Sequence, residues 1–468
     1  MGAEQSYNLL EENWIPVLYN NGKVERVGIK KALMDAGKIR QIAASNPMDR
    51  VAIIRFLLAV LYWCKGNPPS DEELTKIKSF PADGFTKLDE NKDCFNLLGK
   101  EKRFYQQKTS KKEWAITSLL QEIPSGNNFW HLRHSTDKIN GLCFACCAMG
   151  LLRLPIFSVT SLPDLKTGIN GTPPIYVIPW GRSLLNTLQA NWVQYGQLGV
   201  PAWVQADIRP TMDEDVQILT GLTLLSRRVW LHDPIEKSGV CISCGVRETS
   251  LILSCEYQSS GELKNDHWND PHVVYSNDTP RKSSRASDLS AAKKFRMDRP
   301  WPYLLSNMLE AGKIGPGIRP ISLFVVGFAT DKAKNIDVWE RIIAVPSSEI
   351  SLDTAKSMIL QWQQEGNLLD KRIPRPDTGT TAIIASIRPE VEGKVSGKVD
   401  ELLAKGESVW VEAAREYRPM MAALAHSLSP GFTSESVQRR NHIGNLLPDM
   451  RRKIEPQKKT GRKKGGEK

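Results

Sequence analysis

Cys143-Phe144-Ala145-Cys146 and Gly239-Val240-Cys241-Ile242-Ser243-Cys244-Gly245 set the organisation of this chain. Two residues between cysteines let the backbone turn so that both sulfurs face one ion, and four thiolates close a tetrahedral site with no position left for a reacting ligand. The expectation is one structural zinc held by Cys143, Cys146, Cys241 and Cys244, with the chain between the pairs forming a closed excursion. A redox dithiol or buried free thiols would account for a single pair. Two pairs, the second in a glycine-flanked, ribbon-like turn, favour metal, although the insertion between them is longer than zinc ribbons commonly use.

Working outward, 468 residues suffice for two or three domains with their own cores. The apolar run from Val51 to Trp63 carries Arg55 and is too short to span a bilayer. The N-terminus lacks a basic flank followed by an apolar core, so neither a membrane segment nor a signal peptide is expected, and the expected compartment is the cytoplasm. In such a chain eight cysteines suit metal ligands plus spare thiols, which leaves Cys64, Cys94, Cys147 and Cys255 structural. A net charge of +11 points to a polyanionic partner. The cations cluster at Lys100 to Lys112, at Arg281 to Arg299 and from Arg451 to Lys468. The end of the chain, 454–468, is expected to be a disordered basic tail, either a phosphate-contacting arm or a solubilising one.

Near the start, Asn20-Asn21-Gly22 separates two short apolar runs, a hairpin signal because the central residues accept positive φ. The stretch Asn8-Leu9-Leu10-Glu11-Glu12-Asn13-Trp14-Ile15-Pro16-Val17, followed by that glycine turn and Lys23, resembles the N-terminus of CasA, the large-subunit family of type I-E CRISPR Cascade surveillance complexes. The resemblance continues through Arg103-Phe104-Tyr105-Gln106, both cysteine pairs, Trp230-Leu231-His232-Asp233-Pro234 and the span from Phe328 to Glu340. It implies a non-catalytic subunit that sits with the other Cascade subunits and the 5′ handle of the guide crRNA. Such a subunit recognises the short PAM motif in double-stranded target DNA, nucleates guide RNA-directed opening of the duplex, and helps recruit or position an effector nuclease, either a helicase-nuclease or one within the complex.

Several residues acquire expected nucleic-acid roles from this resemblance. The polar loop from Ser125 to Asn140 interleaves Phe129, Trp130, Arg133 and Lys138, a mixture able to stack on bases and meet phosphates, or else to anchor the loop to the core. In the family this loop reaches the guide RNA 5′ end and the PAM region. Asn20, Asn21, Gly22 and Lys23 fall at the first hairpin, Lys264 where a lysine is directed at the PAM, and Thr330, Asp331, Lys332 and Ala333 where a short wedge splits the first base pairs. Where relatives carry a glycine-rich loop this chain has Ser158-Val159-Thr160-Ser161-Leu162-Pro163, with glycines only at Gly168 and Gly171. The run His267-Trp268-Asn269-Asp270-Pro271-His272 superficially suggests an HNH nuclease, but six contiguous residues before and around a proline form one turn rather than a metal site on separate elements.

Periodicity predicts a buried helix over Asp49 to Lys65 started by Asn46-Pro47, helices over Glu72 to Ile77, Gly141 to Arg153 and Ser183 to Val193, an amphipathic stretch over Ile218 to Val229, and strands over Ile175 to Ile178 and Ile321 to Phe328. Beyond Ser348 four helical segments separated by glycine or proline predict a four-helix bundle. The expected fold is α+β: a large mixed N-terminal domain, 1–347, with the zinc site and the PAM-reading loops, then the bundle, 348–453, and the tail. No acid cluster, phosphate-cradling glycine loop or Ser-His-Asp order points to catalysis. The alternatives are a zinc-bearing nuclease, distinguished by divalent-dependent cleavage, and a zinc-ribbon RNA-binding scaffold protein, distinguished by how it binds duplex DNA.

Overall fold

The computed structural model describes residues 7–109, 113–122, 141–159, 166–210, 214–274 without 237, 262, 264 and 266, 301–345 without 316, 317, 332 and 333, and the single residues 352 and 434. The chain divides into two compact units, Met1–Val345 and Pro346–Lys468. Apart from those two single residues, the expected bundle and tail lie outside the described residues.

The first unit opens with a hairpin of β1 (Ile15–Tyr19) and β2 (Val24–Val27), whose turn places Gly22 at φ 85°, as the Asn-Gly pair predicts. Helix α1 (Ile29–Met34) returns the chain so that β3 (Ile39–Ile42) pairs on the other side of β1, giving the sheet order β2-β1-β3. Helix α2 (Pro47–Lys65) follows. Asn46 Oδ1 accepts the Met48 N–H at 2.9 Å, Pro47 fills the first turn where no donor is needed, and Gly66 at φ 79° ends the helix. Its residues from Val51 to Tyr62 are buried on every face, so α2 is the axis on which the unit is packed. Phe56, for example, meets Phe104 and Trp203 edge-on with ring centroids 5.3 and 5.6 Å away. The short helices α3 (Asp71–Lys76), closed by a Ser70–Glu73 capping box, and α4 (Thr86–Glu90) lead to strand β4 (Glu113–Ala115).

Helix α5 (Phe144–Phe157) begins three residues later than its periodicity predicts, because Leu142 is paired with Ile252 instead. It also runs past Pro155, but only for two residues, as a proline in the last turn allows. Strand β5 (Tyr176–Trp180) and helix α6 (Leu184–Asn191), capped by Ser183, match expectation closely. The stretch read as amphipathic over Ile218 to Val229 splits into α7 (Ile218–Thr223) and β6 (Arg227–Leu231). Tertiary pairing overrides the helical period there: Val229 faces Tyr257 and Leu231 faces Cys255 on β9 (Ser254–Ser259), and Ser226 Oγ donates to the Leu154 carbonyl at 2.7 Å. Between β6 and β9 lies the ribbon of β7 (Gly239–Val240) and β8 (Arg247–Glu248).

Helix α8 (Trp301–Glu310) precedes two long strands, β10 (Ser322–Asp331) and β11 (Lys334–Ala344). The remaining sheets run β11-β10-β5 and β4-β9-β6. Strand β5 pairs only with Ser322 to Val326, whereas the β10–β11 ladder continues to Asp331 opposite Lys334. The hairpin therefore continues as a two-stranded arm past β5 for five β10 residues, Gly327 to Asp331, of which Phe328 and Ala329 are still fully buried, with Phe328 edge-on to Phe157. At the arm's root the Trp339 ring covers Gly327, where a Cβ would come within 2.2 Å of it. Arg50 of α2 pairs with Glu340 at 2.5 Å and lies over the Phe324 ring at 5.1 Å, fixing the root to the central helix.

Candidate functional site

The four predicted cysteines converge. Cys143 is the residue before α5 and Cys146 lies in its first turn, where the positive end of the helix dipole favours thiolate. Cys241 and Cys244 occupy the turn between β7 and β8, shaped by Cys241 N–H to the Val246 carbonyl and Gly245 N–H to the Cys241 carbonyl, both 2.9 Å, with Gly245 at φ 74°. Ile242 N–H donates to the Gly141 carbonyl at 3.1 Å, and Cys143 N–H reaches Cys241 Sγ at 3.4 Å, joining the two pairs. Gly141 is required, since a Cβ there would lie 2.7 Å from the Ile252 carbonyl oxygen. All four sulfurs fall within 4.8 Å of one another, and Cys143 and Cys244 are 3.8 Å apart. Sulfurs ~2.3 Å from a tetrahedral zinc would be separated by ~3.8 Å, so the donor set fits a four-coordinate metal ion.

The four thiols titrate against one another: hydrogen bonds from the Cys143 and Cys146 thiols pull Cys241 down to about 6 and also lower Cys244, while Cys143 and Cys146 are raised. The other cysteines behave differently: burial pushes Cys64 and Cys255 up to about 12, and Cys94 and Cys147 also rise through burial. These are inert packing thiols, as the sequence suggested.

A second polar centre escaped sequence reasoning. Arg55, in the middle of α2, forms a two-pronged ion pair with Asp270, with Nη1 to Oδ1 at 2.6 Å and Nη2 to Oδ2 at 2.9 Å, all buried. Arg55 Nη1 also donates to His272 Nδ1 at 3.0 Å, so His272 carries its proton on Nε2 and donates to Asn191 Oδ1 at 3.1 Å. Asn170 Nδ2 donates to Asp270 Oδ2 at 2.8 Å, and Lys313 Nζ donates to the Asp270 and Val273 carbonyls at 2.8 and 2.7 Å. Burial, with Arg55 beside it, lowers His272 to about 3 and keeps it neutral. A buried neutral histidine and a carboxylate locked to arginine cannot serve an HNH nuclease. The signal was a lone charge in the apolar run from Val51 to Trp63, which demands a buried partner somewhere in the chain.

The expected nucleic-acid residues are dispersed. Asn20, Asn21, Gly22 and Lys23 form the exposed tip of the first hairpin, where Asn20 Nδ2 donates to the Gly37 carbonyl at 3.2 Å and Lys23 pairs with Glu25. Thr330 and Asp331 end β10, and Lys332 and Ala333 are the two residues between its end and the start of β11. Phe129, Trp130, Arg133, Lys138, Lys264, Lys332 and Ala333 lie outside the described residues. Phe104 and Tyr105 are buried, and Gln106 bridges the Leu97 carbonyl at 2.7 Å and the Leu231 N–H at 2.9 Å, so that segment is core. Gly168 and Gly171 make a tight turn against their own chain, where a Gly168 Cβ would lie 2.7 Å from the Pro155 carbonyl oxygen.

Known proteins share this architecture. Thermus thermophilus CasA (Cse1) matches over 96% of this chain and 99% of its own at TM-score 0.66 and 19% identity. Cse1 from Acidimicrobium ferrooxidans matches over 97% and 100% at TM-score 0.65 and 16% identity. A chain of a CRISPR RNA-guided surveillance complex matches over 94% and 99% at TM-score 0.61 and 13% identity. In sequence, the CRISPR-associated protein CasA/Cse1 of Thermus thermophilus is 30% identical over 223 residues, 45% of this chain and 44% of that protein. The chain thus aligns with less than half the length of that curated relative. A sequence model of the family described as CRISPR-associated protein Cse1 matches residues 8–341, well over half of the chain, which therefore belongs to the Cse1 family.

Proposed function

We propose that this chain is the non-catalytic large subunit of a cytoplasmic Cascade-type complex that recognises a PAM in duplex DNA and starts its opening for the guide RNA. Membership of the Cse1 family and the likeness to a surveillance-complex chain support the assembly. The observation that carries the opening step is the two-stranded arm that continues past β5 from a root held by Arg50, because a wedge must be rigid to separate stacked bases. On this reading the metal is zinc, binding Cys143, Cys146, Cys241 and Cys244 and holding the ribbon against α5. Phe129, Trp130, Arg133 and Lys138 meet the crRNA 5′ handle and the DNA beside the PAM. Lys264 and the tip from Asn20 to Lys23 contact the duplex, and the domain boundaries follow the sequence, with the bundle and basic tail beyond 347. Other Cascade subunits and an effector nuclease are its partners.

The arm makes a specific prediction. Ala333 is small enough to enter between base pairs while Lys332 meets a phosphate. Unstacking costs about 1.4 kcal/mol per step and is returned once guide pairing begins, so the subunit need only lower the nucleation barrier. In the assembled complex, Lys332→Ala should slow R-loop formation on intact duplex on the order of tenfold and matter little on a target pre-melted beside the PAM. Equal slowing on both substrates, with a salt slope reduced by about one, would make Lys332 an ordinary phosphate contact.

A further inference from the structure

Gly327 and Trp339 face each other across the β10–β11 ladder where β5 stops pairing, one residue past the match of Val326 with Tyr176. A glycine inside a long strand is a local weakness, because it has no side chain to pack and more backbone freedom to lose. Here the opposite strand fills the deficit. The Trp339 indole lies over Gly327, where a Cβ would stand 2.2, 2.3 and 2.5 Å from Cε2, Cζ2 and Nε1. An aromatic ring laid across a cross-strand glycine pins register and twist at that point of a sheet.

The other face of the arm is held as well. Side chains alternate along β10, so Phe324, Val326 and Phe328 share one face and Val325, Gly327 and Ala329 the other. On the first face Phe328 is edge-on to Phe157 of α5, with centroids 6.4 Å apart, and Arg50 of α2 lies over Phe324. On the second lies Trp339, the cross-strand partner of Gly327. The ladder then shifts register between Ala329 and Thr330, and such an irregularity re-aims the residues beyond it. Trp339 Nε1 is buried with no hydrogen-bond partner among the described residues, so packing on the glycine, and no polar anchor, sets the place of the ring. Filling space does not require this pair, since a valine opposite a smaller residue would complete the ladder with a better strand former. A bicyclic ring seated across both strands, just before the shift, adds resistance to twisting of one strand against the other.

We infer that Trp339, seated on Gly327, is a positioning residue for duplex opening: it fixes the twist of the β10–β11 arm, and with it the direction in which Lys332 and Ala333 meet the base pairs. This rests on the wedge reading given under the proposed function and adds to it the residue that aims the wedge.

One measurement reads the arm and another reads opening. In the purified chain, hydrogen exchange resolved by peptide should show Phe328 to Asp331 and Lys334 to Val338 exchanging on the order of tenfold faster in Trp339→Leu, with Ser322 to Val326 as in the wild type. No acceleration in the arm, or equal acceleration along all of β10, overturns the inference, because the ring would then hold nothing or hold the sheet at large. In the assembled complex, Trp339→Leu should slow R-loop formation on intact duplex on the order of tenfold and matter little on a target pre-melted beside the PAM. Trp339→Phe, which keeps a ring on the glycine, should recover most of that rate. Lys332→Ala combined with Trp339→Leu should be within about twofold of either single variant, since a lysine already misdirected has little left to lose, whereas full multiplication of the two defects overturns the inference. The swap of Gly327→Ala with Trp339→Leu separates aiming from filling. Its methyl takes up part of the vacated space, so melting should return towards the wild type while opening stays slow; a swap that restores both marks the ring as packing alone and overturns the inference. Where Trp339→Leu does not fold by itself, the swap carries the exchange and opening measurements in its place. Lys332→Ala that separates the two substrates while Trp339→Leu does not overturns this inference alone. Lys332→Ala that slows both substrates alike overturns the wedge reading, and this inference with it.

Discussion

Asp270→Ala is expected to destabilise the protein by about 3–5 kcal/mol, the usual consequence of leaving one member of a buried ion pair without its counter-charge. Asp270 is fully buried and Arg55 almost so, and Arg55 cannot shed its proton. The variant would also remove the nearer acceptor of the Asn170 amide, at 2.8 Å, leaving it Tyr176 Oη at 3.3 Å. Urea denaturation of the purified chain checks this, with a loss below about 1 kcal/mol counting against the assignment. Replacing both partners, Arg55→Met with Asp270→Leu, should restore most of the loss, because apolar residues of similar volume can substitute for a buried pair. The histidine adds a pH signature. Its folded value, about 3, lies below the ordinary 6.5, so the unfolded chain takes up a proton that the folded chain refuses. Its contribution to stability is complete above about 6.5 and declines as the pH falls towards about 3. Asp270 acts in the same sense at lower pH, since Arg55 holds it below its ordinary value against the upward pull of burial. Melting followed from neutral to mildly acidic pH should show that decline, and His272→Gln should flatten its upper part.

Loss of the proposed zinc should have an effect of similar or greater size. Structural zinc contributes about 10–16 kcal/mol of apparent binding free energy in zinc-finger peptides, and the four sulfurs here close the join between α5 and the ribbon. Elemental analysis of the wild type should give one zinc per chain. Cys241→Ser should carry far less and melt many degrees lower, and a chelator should lower the melting point of the wild type but barely move that of the variant. Wild-type protein with well under one zinc per chain, or a Cys241→Ser protein unchanged in both measures, would refute the centre.

The four-cysteine cluster was legible because its information is local: two short motifs define their own turns, and only the distance between them had to be bridged by the fold. The hairpin at Asn20-Asn21-Gly22 and helix α2 with its Asn46-Pro47 start were readable for the same reason. Helix α5 and the α7–β6 boundary were misplaced where a distant strand decided the outcome, Ile252 for Leu142 and β9 for Val229. The Arg55–Asp270 pair was invisible, although Arg55 itself was conspicuous, because nothing in the order of residues says which of many carboxylates will reach it.

The long closure between Arg55 and Asp270 bears on how the chain emerges from the ribosome. The two residues are 215 positions apart, and the first and second cysteine pairs are linked across 98. At a synthesis rate of about 5–20 residues per second, α2 waits roughly 10–40 s for its counter-charge, and Cys143 waits roughly 5–20 s for Cys241. Through that interval the central helix α2 lacks the counter-charge for Arg55, and half of the four-cysteine cluster stands open to oxidants or to a stray ion. The buried ion pair and the four-cysteine cluster are therefore both complete only after translation has passed residue 270, which sets the order in which the first unit can close.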